Sequence, residues 1–289
     1  MNIGILLFYL ALAFWIPLFF WSQRKRTWLP FFIYGMIFTI ILNGRYVVEG
    51  MEGGITFFTG IFDVIAHIGV PEGEQVTALT SCEGNACSVL QQYDTHPSWA
   101  VAFYDRFMQG SNFRSALLYG HIIFNTIALV TGTVQIFRPG GKYTGHKMVG
   151  RISVVSVVIS LTCAGILTSE LTDVTAYGHW WTTLGLYFLA LNALIPAGIG
   201  VAKIMRKDYE GHRIWMWRYV GAIWGAYWIF RAEMMLVDLF IKDAEGFTLA
   251  IPSWTGGLIG IALAEYIRRR VDRRASLKTG AGVSMAPAE

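Results

Sequence analysis

Residues 115–137 read SALLYGHIIFNTIALVTGTVQIF and residues 152–169 read ISVVSVVISLTCAGILTS, and neither run contains a Lys, Arg, Asp or Glu. The hydrocarbon core of a bilayer is about 30 Å thick and takes ~20 helical residues to cross, so runs of this length and composition are read as spans. They must be helical, because lipid offers exposed backbone N–H and C=O groups no partner. Five more runs long enough to cross lie around them: Ile3–Trp21, Trp28–Val48, His179–Val201, Ile214–Val237 and Phe247–Ile267. The expected fold is all-α, a polytopic membrane protein with seven transmembrane helices and a four-helix core made by spans three to six. Composition agrees, with 54% hydrophobic and only 15% charged residues, where a soluble domain carries about 25%.

The first run is read as an uncleaved span and not a signal peptide. No basic residue precedes it, and no small-x-small cleavage site comes before Arg24-Lys25-Arg26. Orientation follows from the basic residues. Arg24–Arg26, Arg138–Arg151, Lys203–Arg213 and the tail from Arg268 hold 17 of the 23 Lys and Arg residues, while the opposite loops carry Glu49, Glu52, Glu170, Asp173, Asp238, Asp243 and Glu245. The positive-inside rule then puts the N-terminus outside and the C-terminus in the cytoplasm, across a cell (inner) membrane. Ile55–Val70 is apolar but short and contains Asp63 and His67. A crossing there would invert every later loop, so it is read as an interfacial or re-entrant helix.

These readings divide the chain into five parts. Residues 1–48 are two spans, 49–114 an external subdomain, 115–237 the four-helix core, 238–267 a loop and the seventh span, and 268–289 a basic tail disordered at its end. The external subdomain contains Cys82 and Cys87, which an oxidising compartment would let pair, the other reading being two free thiols. Cys163 lies mid-span, as a small packing residue. The absence of C-x-x-C-H leaves covalent haem attachment without support.

Two inner loops end alike. One reads Tyr143-Thr144-Gly145-His146-Lys147-Met148 and the other Tyr209-Glu210-Gly211-His212-Arg213-Ile214, with Arg151 and Arg218 following. The shared pattern Tyr-x-Gly-His-basic-aliphatic recurs after 66 residues, each time opening a span, which suggests duplicated helical hairpins. His121 in an apolar helix, His146-Lys147-Met148-Val149-Gly150-Arg151 and His212-Arg213-Ile214-Trp215-Met216-Trp217-Arg218 together resemble an uncharacterised family of predicted bacterial membrane proteins, domain of unknown function 2306, over about residues 120–237. Lys147 stands where that family usually has Arg. The resemblance implies a membrane protein and brings no established activity with it.

Histidines on membrane helices are functional candidates. His121, His146, His179 and His212 fall alternately at the outer and inner ends of spans three to six. Facing helices of a bundle could then supply axial ligands, with His146 and His212 holding one b-type haem near the inner face, and His121 with His179 a second near the outside. Lys147, Arg151, Arg213 and Arg218 would contact haem propionates or lipid phosphates. The pattern looks like diheme electron-carrying membrane cytochromes of the b561 type. The outer pair fits less well. His121 precedes His146 by 25 residues and His179 precedes His212 by 33, a mismatch of ~12 Å of helix, and strict repetition would put Tyr187 opposite His121. The bland alternative is that these histidines only sit among interfacial anchors.

Arg231 and Glu233 lie in the outer third of span six and, two residues apart, do not face one another. They suggest an external polar pocket or proton route, or else a structural ion pair between spans, with Arg45, Glu170 and Asp173 as candidate partners. Gly221 and Gly225, then Gly256, Gly260 and Ala264, have the spacing that lets helices approach closely. There is no P-loop, dinucleotide fingerprint, H-E-x-x-H or nucleophile elbow. The functional expectation is an electron-transfer component binding haem b. The alternatives are a non-catalytic subunit or scaffold of a membrane complex, and a small-solute or proton transporter. The expected partners are the lipid bilayer and other membrane subunits, not nucleic acid.

Overall fold

The computed structural model describes residues 3–69, 103, 106–108, 111–137, 145–170, 179–240 and 247–278, and the regular elements among them are all helices. In chain order they are α1 (Ile3–Lys25), α2 (Leu29–Val48), α3 (Gly50–Gly69), α4 (Asn112–Phe137), α5 (His146–Ser169), α6 (His179–Met205), α7 (Tyr209–Trp224), a π turn (Gly225–Ile229), α8 (Phe230–Phe240) and α9 (Phe247–Lys278). Among the described residues, six stretches are long and apolar enough to cross a membrane: Ile5–Lys25, Leu29–Val48, Asn112–Phe137, His146–Ser169, Trp180–Met205 and Phe247–Arg273. The run Ile214–Val237 is not among them, because the π turn divides it into two shorter helices. The Cys82 and Cys87 pair and His96 lie outside the described residues, whereas Cys163 is a free thiol against Gly120, at the contact of α4 and α5.

Hairpin pairing dominates the packing. α4 lies along α5 and α6 along α7, while α5 meets α6 and α4 meets α7. α9 covers the second hairpin through both α6 and α7, and α2 packs on α4. The outward faces are apolar: Phe14, Ile16 and Phe20 of α1, Ile37 and Ile41 of α2, and Val155 of α5 are all exposed. A soluble protein would bury these side chains, but a hydrocarbon surround leaves them at no cost. An aromatic cluster lies within the core, with Trp15, Phe32, Trp224 and Trp228 meeting where α1, α2, α7 and the π turn converge.

α3 leaves the end of α2 through Gly50, whose φ of +76° is the left-handed conformation that a Cβ disfavours. It then packs on α1, α2 and α8. Ile55 and Ile61 are fully buried, Arg45 of α2 lies 4.0 Å over the Phe57 ring, and the Tyr9 hydroxyl of α1 donates to the Ile61 carbonyl. This segment, read from sequence as interfacial or re-entrant, is therefore a helix continuous from Gly50 and held by protein on its inner side.

The small-residue spacing acts within the chain. A Cβ on Gly221 would meet the Gly260 carbonyl oxygen at 2.6 Å, and one on Gly225 would meet the Gly260 Cα at 2.9 Å. Backbone therefore touches backbone where α7 and the π turn cross α9. Gly225→Leu is expected to destabilise the protein by about 1–3 kcal/mol or to prevent folding, as overpacking does. Gly44→Ala, with nothing within 4 Å of the added carbon, should be silent. Thermal unfolding of the two detergent-solubilised variants checks this, and equal stability would contradict it.

Candidate functional site at the inner ends of the hairpins

His146 is the first residue of α5 and His212 stands in the first turn of α7, so the repeated motif places each imidazole at a helix start. The second start is the better defined. Asp208 caps α7 by accepting from the Gly211 N–H at 2.8 Å, and the Lys203 ammonium sits 2.8 Å from its other oxygen. Lys207 takes a left-handed φ of 61° to make the tight turn from α6. The two donors hold the Asp208 carboxyl below the usual Asp range, the Lys203 contact being the larger cause.

The His212 Nδ1 is 2.8 Å from the Gly200 carbonyl of α6. A carbonyl only accepts, so Nδ1 carries a proton and donates it to Gly200. His146 differs. Its Nδ1 is buried without a hydrogen-bond partner, and its backbone carbonyl accepts from Gln135 Nε2 of α4 at 3.1 Å, while Gln135 Oε1 is also buried and unpartnered.

The duplication continues one heptad deeper. Ser153 and Tyr219 are each seven residues after their histidine and again 66 apart, and the Tyr219 hydroxyl lies 3.0 Å from both the Ser153 Oγ and the Ser153 carbonyl. Tyr219 and Ser153 are fully buried, and Ser153 Oγ also donates to Ala128 of α4. Equivalent positions of α5 and α7 thus meet through this hydrogen-bonded pair. Sequence reading passed over this pair, although the 66-residue spacing would have marked it.

The basic residues divide into two groups. Lys147 and Arg151 are exposed. Arg213 is bound by Asp272 of α9, and Arg218 lies 3.7 Å from Glu265 and 4.5 Å over the Trp215 ring. Arg268 and Arg269 complete the network on Glu265 and Asp272, which includes a Glu265–Arg269 pair at 3.0 Å. A cavity of about 50 Å³ lies deeper, lined by Trp15, Phe32, Trp217, Trp224 and Gly260 among others, and includes neither histidine.

Away from the repeated motif the structure brings together some candidates and separates others. His121 Nδ1 is 3.0 Å from Ser160 Oγ and 3.2 Å from the Ser160 carbonyl, so α4 and α5 are tied there. His179 begins α6, and its side chain is not among those described. Glu233 accepts from Thr255 of α9 at 2.9 Å, whereas Arg231 donates to the Tyr227 carbonyl at 2.7 Å. The expected outer partners of Arg231 and Glu233 are engaged elsewhere, Glu170 with Arg106 and Arg114, and Arg45 with Glu49. Asp173 lies outside the described residues.

An all-helical chain with six long apolar helices, lipid-compatible outer faces and polar contacts turned inward has the character of a multi-pass membrane protein. The family model of predicted membrane protein DUF2306 matches residues 118–268, more than half of the chain, and the chain belongs to that family. No curated protein and no solved structure matches it, so the likeness to b561-type cytochromes gains nothing from these comparisons.

Asp208 yields a pH prediction. Its folded-state pKa is lowered, so its contribution to stability is present above the ordinary Asp value of ~4 and is lost as pH falls through the lowered value. Thermal midpoints of wild type and Asp208→Asn should differ at neutral pH and converge in acid. A difference that is unchanged down to the lowest pH at which the protein stays folded would show that the carboxylate charge is not what holds the turn.

Proposed function

We propose that the chain is a seven-span protein of the cell membrane whose spans three to six form a four-helix core holding a b-type haem between His146 and His212, as an electron-transfer component. The observation that carries this reading is the repeat itself, which sets His146 and His212 at equivalent helix starts, with their heptad successors Ser153 and Tyr219 hydrogen-bonded to each other. The His212 Nδ1–H bond to the Gly200 carbonyl supports it, since a ligating imidazole usually donates its other nitrogen to a carbonyl or carboxylate, which fixes ring and tautomer. Lys147 and Arg151 are the nearby cations without a carboxylate among the described residues, and they suit propionates better than Arg213 and Arg218, which α9 holds.

The geometry also limits how a porphyrin would sit. Ser153 and Tyr219 close the space about 10 Å below the histidines, at ~1.5 Å per residue, so the ring would enter from the inner face and the helix starts would part to admit it. His121 and His179 form no comparable pair among the described residues, and the second haem site has less support.

Span six in this reading is Tyr209–Phe240, the continuous stretch of α7, π turn and α8. It places the four basic segments together inside. A cytoplasm-dependent reporter fused after Glu289 should be active and the same reporter inserted in residues 70–102 inactive. Activity in that insertion would invert the topology.

For the haem, reduced-minus-oxidised absorption spectra of the purified full-length protein should show b-type bands. His146→Ala and His212→Ala should each abolish them, and His96→Ala should leave them unchanged. A wild type without bands, or bands that survive both inner substitutions, would overturn the assignment.

A further inference from the structure

Arg231 is a cation inside the outer half of the bundle, and no carboxylate meets it among the described residues. One guanidinium nitrogen is satisfied by the Tyr227 carbonyl. Its Nε is buried with no hydrogen-bond partner. Its flat faces lie 3.9 Å from the Tyr227 ring and 5.4 Å from the Phe58 ring of α3. Aromatic faces steady a cation but leave its in-plane N–H donors unused.

The groups around it are donors more than acceptors. Tyr46 of α2 and His121 of α4 are both within electrostatic reach of the guanidinium, with Tyr119 beside Tyr46. The Tyr46 side chain is only 5% exposed, and its hydroxyl has no hydrogen-bond partner among the described residues. By contrast, the polar neighbours one turn deeper are fully paired: the Tyr227 hydroxyl donates to Asn43 Oδ1 at 2.8 Å, and Asn43 Nδ2 donates to Thr126 at 2.6 Å. The π turn contributes to this arrangement. Phe230 N–H bonds the Gly225 carbonyl five residues back, and the widened turn presents the Tyr227 carbonyl to Arg231.

We propose that Arg231 and Tyr46 bind a small monovalent anion in the outer half of the membrane, between α2, α3, α4 and α8. A charge in a membrane segment is costly unless it is paired or solvated, and intramembrane charges mark ion or substrate sites. One unpaired guanidinium calls for one negative charge. An unpartnered guanidinium N–H and a phenol O–H are the kinds of donor such an ion takes. This inference is independent of the haem reading, since it uses neither His146 nor His212.

The test uses the full-length protein in nanodiscs of phosphatidylcholine, exchanged into gluconate, with equilibrium binding of radioactive chloride. Wild type should bind chloride saturably at one site per chain, and its thermal midpoint should rise with chloride as mass action requires. Arg231→Gln should lose both effects. Tyr46→Phe, which keeps the ring and removes one donor, should weaken binding several-fold while the protein elutes as a folded species. Tyr46→Phe therefore keeps the test decisive if Arg231→Gln does not fold. Absence of saturable chloride binding by folded wild type, or equal binding by folded Arg231→Gln or Tyr46→Phe, would overturn the proposal. Stabilisation that follows added phosphatidylglycerol and not chloride would also overturn it, by assigning the guanidinium to a lipid phosphate.

Discussion

Inside an apolar surround, a polar side chain has to find its partner on another helix, and most of the internal order of this protein follows from that requirement. Asn43 of α2 joins Thr126 of α4 to Tyr227 of the π turn. Trp224 of α7 donates to Thr133 of α4 at 2.8 Å. His121 and Ser160 tie α4 to α5, and Ser153 and Tyr219 tie α5 to α7. Each bond is modest alone. Its value lies in direction, because dispersion between apolar helices selects neither a rotation nor a depth, whereas a phenol with a single reachable oxygen selects both.

α9 has a second organising role. Its Gly256, Gly260 and Ala264 let it lie against Gly221 and Gly225, and its inner end carries Glu265 and Asp272 beneath the basic residues of α7. The close approach sets how near these carboxylates come to Arg213 and Arg218. The most basic stretch of the chain is thereby internally neutralised in part, leaving Lys147 and Arg151 of the first hairpin as its exposed counterparts. The two copies of the motif have therefore diverged in surroundings while keeping their histidines in register. His212 is fixed by the Gly200 carbonyl, whereas His146 retains a buried nitrogen with no partner.

Much of the candidate site was legible from the chain. The motif at His146 and His212 marked a duplication because the same residue types recur at one offset in two apolar contexts, and helical periodicity then requires residues seven later to share a face. Other parts were not legible. Glu265 and Asp272 look like solvated charges of a basic tail until α9 is docked on α7. Arg231 looks like half of an ion pair with any of several acidic residues, until Glu170 is found with Arg106 and Arg114, and Glu233 with Thr255. The π turn was invisible because Gly225–Ile229 is as apolar as an ordinary helix, and its widening answers to the crossing with α9.

The sequence by itself determined that the protein is helical and built for a membrane, since the length and charge of each run decide whether its backbone can be buried in lipid. It also determined the repeat and the face on which the basic residues gather. Only the tertiary structure decided which helices neighbour one another, which arginines are neutralised, and that Arg231 is left among aromatic rings with a buried, unpaired N–H. Those outcomes depend on helix rotation and docking, and apolar surfaces of similar composition do not specify either until small residues and single hydrogen bonds choose among the possible contacts.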